Sequence, residues 1–144
     1  MAETLDDFWP SEIPDPDDPA PVALLKEQAG LLSEKTQGEI EAAVTMYIEE
    51  GIVYHFLFLK PLLFGDYQYR VLSISYPVTS PASDVYPITA EVFGHSPTNV
   101  AKVTLSNEDE FRSWLRSQLS SEYVRSTLGT LKKYVREIRA IRAS

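Results

Sequence analysis

Apolar residues along the chain fall into three kinds of stretch, two helical in period and one alternating. Val22, Leu25, Ala29 and Leu32 recur at the three- and four-residue steps of a helix face, and Leu24 and Leu31 widen the stripe. Pro19 and Pro21 suit a helix entrance, Asp18 is positioned to cap it, and Gly38 is a stop signal, so a first helix is expected from about Ala20 to Thr36. From Gly38 to Glu50 two periods compete. Ile40, Ala42, Val44, Met46 and Ile48 alternate as a half-buried strand does, whereas Ile40, Ala43, Val44, Tyr47 and Ile48 also fit a helix. We read a strand, because Glu49-Glu50-Gly51 followed by Ile52 to Leu59 resembles a short hairpin loop with glycine at the left-handed position.

The following segments read as strands by composition. Ile52 to Leu59 is β-branched and aromatic on both faces, and Tyr67 to Tyr76 alternates. Asp84 to Phe93 is a further strand, placed at an edge because Pro87 would remove a ladder bond, and Val100 to Leu105 is a short fifth candidate. Gly65-Asp66, Pro77 to Pro81 and Gly94 to Asn99 supply the turns between them. After Leu105 the period becomes helical again. Ser106 with Asp109 resembles a capping box ahead of Phe111, Trp114, Leu115 and Leu119. Ser120 or Ser121 then caps a last helix to about Arg142, where Val124, Leu128, Leu131, Val135 and Ile138 step by four, three, four and three. Gly129 within it suggests a close approach to a neighbouring helix or the sheet. The order predicts an α+β fold: an N-terminal helix, a four- to five-stranded antiparallel sheet, and two C-terminal helices packed on one face.

Charge changes this picture at the two ends. The formal charge is −8, yet seven acids and no Lys or Arg precede Val22 in the 144-residue chain, leaving 14 acids against 13 bases from Val22 onward. Met1 to about Asp18, acidic and rich in proline, is expected to be a flexible arm, and residues 19–144 a single α+β domain. Within the arm Leu5, Phe8, Trp9 and Ile13 are apolar, either a docking motif or a segment folding back on its own domain. The acidic, proline-rich start fits neither a signal nor a transit peptide, and no apolar run approaches the roughly 20 residues that span a bilayer. A cytoplasmic location without membrane partners is the simplest expectation.

Candidate chemistry is sparse. The chain has no cysteine, so disulfides, thiol catalysis and cysteine-ligated zinc are excluded. Its histidines are His55, within a strand, and His95, in a turn-rich loop. A triad of Ser96, His95 and Asp84 has no motif behind it, and Asp15 to Asp18 lacks the alternating ligands and glycine of a calcium loop. No glycine pattern resembles a phosphate or dinucleotide loop. No cofactor is expected, and the balance leans away from an enzyme while leaving the matter open.

Binding features are richer. Tyr47, Tyr54, Tyr67, Tyr69, Tyr76 and Tyr86 fall in the predicted sheet, where an open face would make them an amphipathic contact surface, against the plain reading that aromatics favour strands. Leu63 and Phe64 lie in an apolar loop, either a cap on the core or a partner patch. Arg125, Lys132, Arg136 and Arg139 form a basic stripe on the last helix: a solvated face, or a site for an anionic partner or the acidic arm. No stacking aromatics recur at regular intervals beside these bases, and the overall acidity also argues against nucleic acid.

The segment Val22 to Val44, with Leu25-Lys26-Glu27-Gln28-Ala29 and Glu34-Lys35-Thr36, and the stretch Tyr67 to Ser75, are similar to a group of small bacterial proteins of uncharacterised function. The resemblance implies a bacterial source and transfers no functional residue. These features lead to a non-catalytic protein-binding domain in an adaptor, immunity or antitoxin-type role, with Phe8, Trp9, Leu63, Phe64, Tyr67, Tyr69 and the basic stripe as contact candidates. The alternatives are a ligand-binding or enzymatic domain with a pocket of Tyr54, His55, Tyr69 and Arg70 between sheet and helices, and a regulatory domain whose acidic arm screens the basic helix. The sequence leaves monomer and homodimer undecided.

Overall fold

A computed structural model describes residues 6–93 and 101–143. In chain order the elements are α1 (Ala20–Lys35), β1 (Ile40–Glu49), β2 (Ile52–Pro61), β3 (Tyr69–Pro77), β4 (Ile88–Val92), β5 (Ala101–Leu105), α2 (Glu108–Leu119) and α3 (Glu122–Ala143). The five strands form one antiparallel sheet in the order β1-β2-β3-β4-β5, so every strand lies beside its sequence neighbour. The fold is α+β, with one helix before the sheet and two after it.

Local chemistry explains most boundaries. α1 starts with proline early in its first turn, where no intrahelical amide is needed, and Pro19 rather than Asp18 occupies the cap position. The Asp18 side chain instead pairs with Lys26 Nζ at 2.9 Å. Residues 37 and 38 both take positive φ, and the Gly38 amide donates back to the Ser33 carbonyl, which ends the helix. β1 and β2 join through Glu50 and Gly51, both at positive φ, the two-residue turn whose twist matches that of the strands. This turn decides residues 40–49 in favour of the strand.

α2 is capped one residue later than the sequence suggested. Asn107 Oδ1 accepts from the Glu110 amide at 2.9 Å, and Glu110 Oε2 accepts from the Ser106 amide at 2.6 Å. Glu110 thus supplies the reciprocal bond that Asp109 was expected to make. Ser121 Oγ accepts from the Val124 amide at 3.2 Å and opens α3.

Two other expectations are overturned. β4 lies between β3 and β5, not at an edge. Pro87 precedes the strand, which begins at Ile88, so no ladder bond is lost there. Gly129 has nothing within 4 Å of where a Cβ would stand, so no close packing requires it.

Alternation along the strands places the core. On β2, Val53, His55, Leu57 and Leu59 are buried, and Leu72, Ile74 and Tyr76 lie opposite or beside them on β3. These meet Val22, Leu25 and Ala29 of α1, Phe111 and Leu115 of α2, and Val124 and Leu131 of α3. The helices therefore occupy one side of the sheet, and the residues at the intervening strand positions form its other side.

Candidate interaction surface

The second side of the sheet carries an aromatic stripe. Period two puts Tyr54, Phe56 and Phe58 on that side of β2, each only partly buried, and Tyr47 of β1 stands opposite Tyr54. Their rings follow one another at centroid separations of 6.0 Å (Tyr47–Tyr54), 6.1 Å (Tyr54–Phe56) and 6.0 Å (Phe56–Phe58), and Phe93 stands 6.4 Å from Phe56. The register of β2 and β3 shifts between Leu57 and Phe58, which sets Arg70 opposite Phe58. The Arg70 guanidinium carbon then sits 4.4 Å from the Phe56 ring centre, 5.2 Å from that of Phe93 and 5.7 Å from that of Phe58. A cation held over several rings contributes about 0.5–1 kcal/mol at an exposed site and more once water is excluded. Ser73 and Ser75 lie on the same side of β3, and the Lys102–Glu91 pair at 3.0 Å bounds the stripe on β5 and β4.

Four inter-strand spacings of about 4.8 Å and strands averaging near eight residues give this side an area of about 500 Å². Stable interfaces use about 800 Å² per partner, so this face supplies somewhat more than half of that area and a partner would also cover its margins. Aromatic residues and arginine are also the types that interface cores favour.

The residues expected to make contacts are dispersed rather than gathered. Phe8 and Trp9 are 93% and 77% exposed on a segment, residues 6–19, without helix or strand. Leu5 lies outside the described residues. Phe64 packs against the core and against Tyr67, so its loop closes one end of the domain, while Leu63 takes positive φ and is partly buried. Tyr67 is exposed. Tyr69 faces the helices, where its hydroxyl hydrogen-bonds that of Tyr123 on α3; burial and that bond hold the phenol well above its ordinary pKa.

The basic stripe divides. Arg125 is highly exposed and near Glu122 at 3.8 Å. Arg136 makes a two-point clamp on Glu39, Nε to Oε2 at 3.1 Å and Nη2 to Oε1 at 3.2 Å, and Arg139 approaches the same carboxylate at 3.8 Å. Glu39 is buried, and the Arg136 hydrogen bonds hold its carboxyl below the usual carboxylate range, with the Lys132 and Arg139 charges adding to the effect. Sequence spacing pointed outward from this stripe; its nearest anion is internal. Nothing in the sequence marked Glu39, 97 residues before Arg136.

The pocket drawn from Tyr54, His55, Tyr69 and Arg70 does not exist as a unit. His55 and Tyr69 face the helices, while Tyr54 and Arg70 belong to the aromatic side. His55 Nε2 lies 2.7 Å from the Tyr76 hydroxyl in the core, and burial pushes the imidazole below its ordinary pKa. His95 and Ser96 lie outside the described residues. Between α1, the start of α3 and the sheet is a cavity of about 200 Å³, lined by apolar side chains such as Leu32, Leu57, Leu59 and Leu128, with Gln28 and Lys35 contributing polar groups. Among the described residues, no three or more His, Asp or Glu side chains gather to hold a metal ion. Among the same residues no helix is long and apolar enough to cross a membrane.

The fold and this surface define a two-layer α+β protein with helices on one side and an aromatic, arginine-bearing sheet on the other. No protein-family model, curated protein or solved structure matches the chain.

Proposed function

We propose that this chain is a non-catalytic protein-binding domain, and that the aromatic side of its sheet is the surface on which a partner docks. The observation that carries the reading is Arg70 held over Phe56, Phe58 and Phe93 beside Tyr47 and Tyr54, on the side of the sheet away from the helices. Burying these rings under a partner removes apolar area from water, at about 25 cal/mol per Å², and strengthens the cation–ring attraction. A bacterial, cytoplasmic adaptor, immunity or antitoxin-type role fits this chemistry, since each works by covering a partner's surface. A small-molecule function has less support: the apolar cavity of about 200 Å³ is below the roughly 300 Å³ at which ligand sites begin, and the larger hollows, of about 420 and 320 Å³, are lined mainly by charged and polar side chains.

The test is capture and titration of a partner with the full chain, alongside Phe56→Lys, Arg70→Glu and the control Lys133→Glu on α3. Loss of a buried aromatic or arginine contact weakens binding by about 30-fold or more, the effect of about 2 kcal/mol at an interface centre. The reading requires that loss in both sheet variants, with melting temperatures near wild type, and little change in the control. A partner that binds all three variants equally, or one lost only with Lys133→Glu, refutes it.

A further inference from the structure

β1 is an edge strand, and its rim differs from the rim on the far side of the sheet. β5, the other edge, is five residues long and carries Lys102, a short and charged edge of the kind that resists pairing. β1 is ten residues long, pairs with β2 without a register shift, and contains neither proline nor lysine. Met46 and Ile48 share the helix side of the sheet with Ala42 and Val44, yet the helices stop short of them. They are 63% and 50% exposed, and Tyr47 on the opposite side is 49% exposed. A long, regular, apolar edge left in this state is a template for another strand.

The direction of the backbone shows how such a strand would sit. The Glu39 carbonyl accepts from the Leu62 amide, toward β2. The amide and carbonyl of Ile40 both bond to Thr36 Oγ1 instead, at 3.1 and 3.0 Å. Ile40 therefore points its peptide groups away from β2, and by the alternation of an antiparallel ladder so do Ala42, Val44, Met46 and Ile48.

We propose that β1 pairs antiparallel with β1 of a second copy of this chain, about a two-fold axis at Met46, joining two sheets into one. In this register Met46 faces its own counterpart and Val44 faces Ile48, so residues with outward peptide groups meet as hydrogen-bonded pairs. On the helix side apolar meets apolar, and on the other side Thr45 meets Tyr47 and Ala43 meets Glu49. Moving the axis to Thr45 sets Glu41 against Glu49 twice, like charges directly opposite. Moving it to Val44 requires the Ile40 peptide groups that Thr36 already holds. Moving it to Tyr47 shortens the ladder and leaves Val44 unpaired. Pairing of the two long edges closes the assembly at a dimer, because among the described residues the β5 side supplies no comparable edge.

The chain has no native cysteine, so one introduced thiol per chain reports the register. Directly opposed residues of a hydrogen-bonded pair have Cα atoms about 5.5 Å apart, within disulfide range. Met46→Cys should cross-link to a dimer under mild oxidation. Thr45→Cys, whose own counterpart lies about 7–8 Å away on the diagonal, should cross-link at least about 10-fold more slowly. Sedimentation equilibrium should give wild type twice the 16.2 kDa chain mass, and Met46→Lys or Met46→Pro a single chain mass with an unchanged circular dichroism spectrum. The proline variant is informative because the Met46 amide points away from β2, so the β1–β2 ladder loses nothing. A wild type that stays at one chain mass up to about 100 µM overturns the proposal. So does a dimer that survives both Met46 variants, faster cross-linking of Thr45→Cys, or a dimer abolished by Phe56→Lys but not by Met46→Lys.

Discussion

The His55–Tyr76 pair offers a sharp test of how the core is built. His55 Nε2 and the Tyr76 hydroxyl are 2.7 Å apart, both residues are buried, and their rings stack at 5.5 Å between centroids. Tyr76→Phe keeps the ring and removes only the hydroxyl, stranding a buried imidazole nitrogen. That costs about 1–3 kcal/mol, the desolvation penalty of an unpaired polar group. For a domain of this size the melting temperature should fall by about 3–10 °C. Combining it with His55→Leu removes both polar partners, and the pair should recover much of the loss, giving a coupling of about 1–2 kcal/mol in a double-mutant cycle. The pH dependence supplies an independent arm. Burial depresses the folded-state pKa of His55 below its ordinary value of 6.5, so the folded chain resists a proton that the unfolded chain accepts. The stabilising contribution is complete above pH 6.5 and is lost as pH falls through that value toward the folded pKa, at a slope of at most about 1.4 kcal/mol per pH unit. Urea unfolding at pH 7.5, 6.5, 5.5 and 5 should show this slope in wild type and its disappearance in His55→Leu. Equal stability of wild type and Tyr76→Phe, with an unchanged slope in His55→Leu, would refute the reasoning.

Four further outcomes follow from single positions. Gly129→Ala should stabilise the protein by about 0.5–1 kcal/mol in denaturant unfolding, because the helix gains propensity and the added methyl meets nothing. Phe111→Ala removes a fully buried ring that joins α2 to the core and should cost about 3–5 kcal/mol, seen as a lower urea midpoint at unchanged slope. The Tyr86 hydroxyl is buried without a hydrogen-bond partner among the described residues, and burial pushes it up to about 12. Tyr86→Phe should therefore be neutral or raise the melting temperature. The Glu39 pKa is lowered from 4.5 by Arg136, so its contribution is present above pH 4.5 and lost as pH falls through that value toward the folded pKa. Glu39→Gln should lower stability at neutral pH and flatten the acid limb of the stability profile below pH 4.5.

The sequence by itself determined the element order, because hydrophobic period is a local property that records which face of each segment is buried. The stripe from Val22 to Leu32, the alternation from Tyr67 to Tyr76 and the steps from Val124 to Ile138 each specified an element that the fold contains. Where two periods fitted, at residues 40–49, the left-handed Glu50-Gly51 turn settled the matter, and that signal too was readable in the chain. The sequence could not say which residues separate elements bring together. Arg70 stands over Phe56 because a register shift at Leu57 and Phe58 aligns them, and Glu39 meets Arg136 because α3 returns across the beginning of β1. A basic stripe and an alternating strand look alike whether their far side is covered or open. Only tertiary packing decided that Tyr69 and His55 face helices, that Tyr54 and Arg70 do not, and that the rim of β1 from Met46 to Ile48 stays exposed.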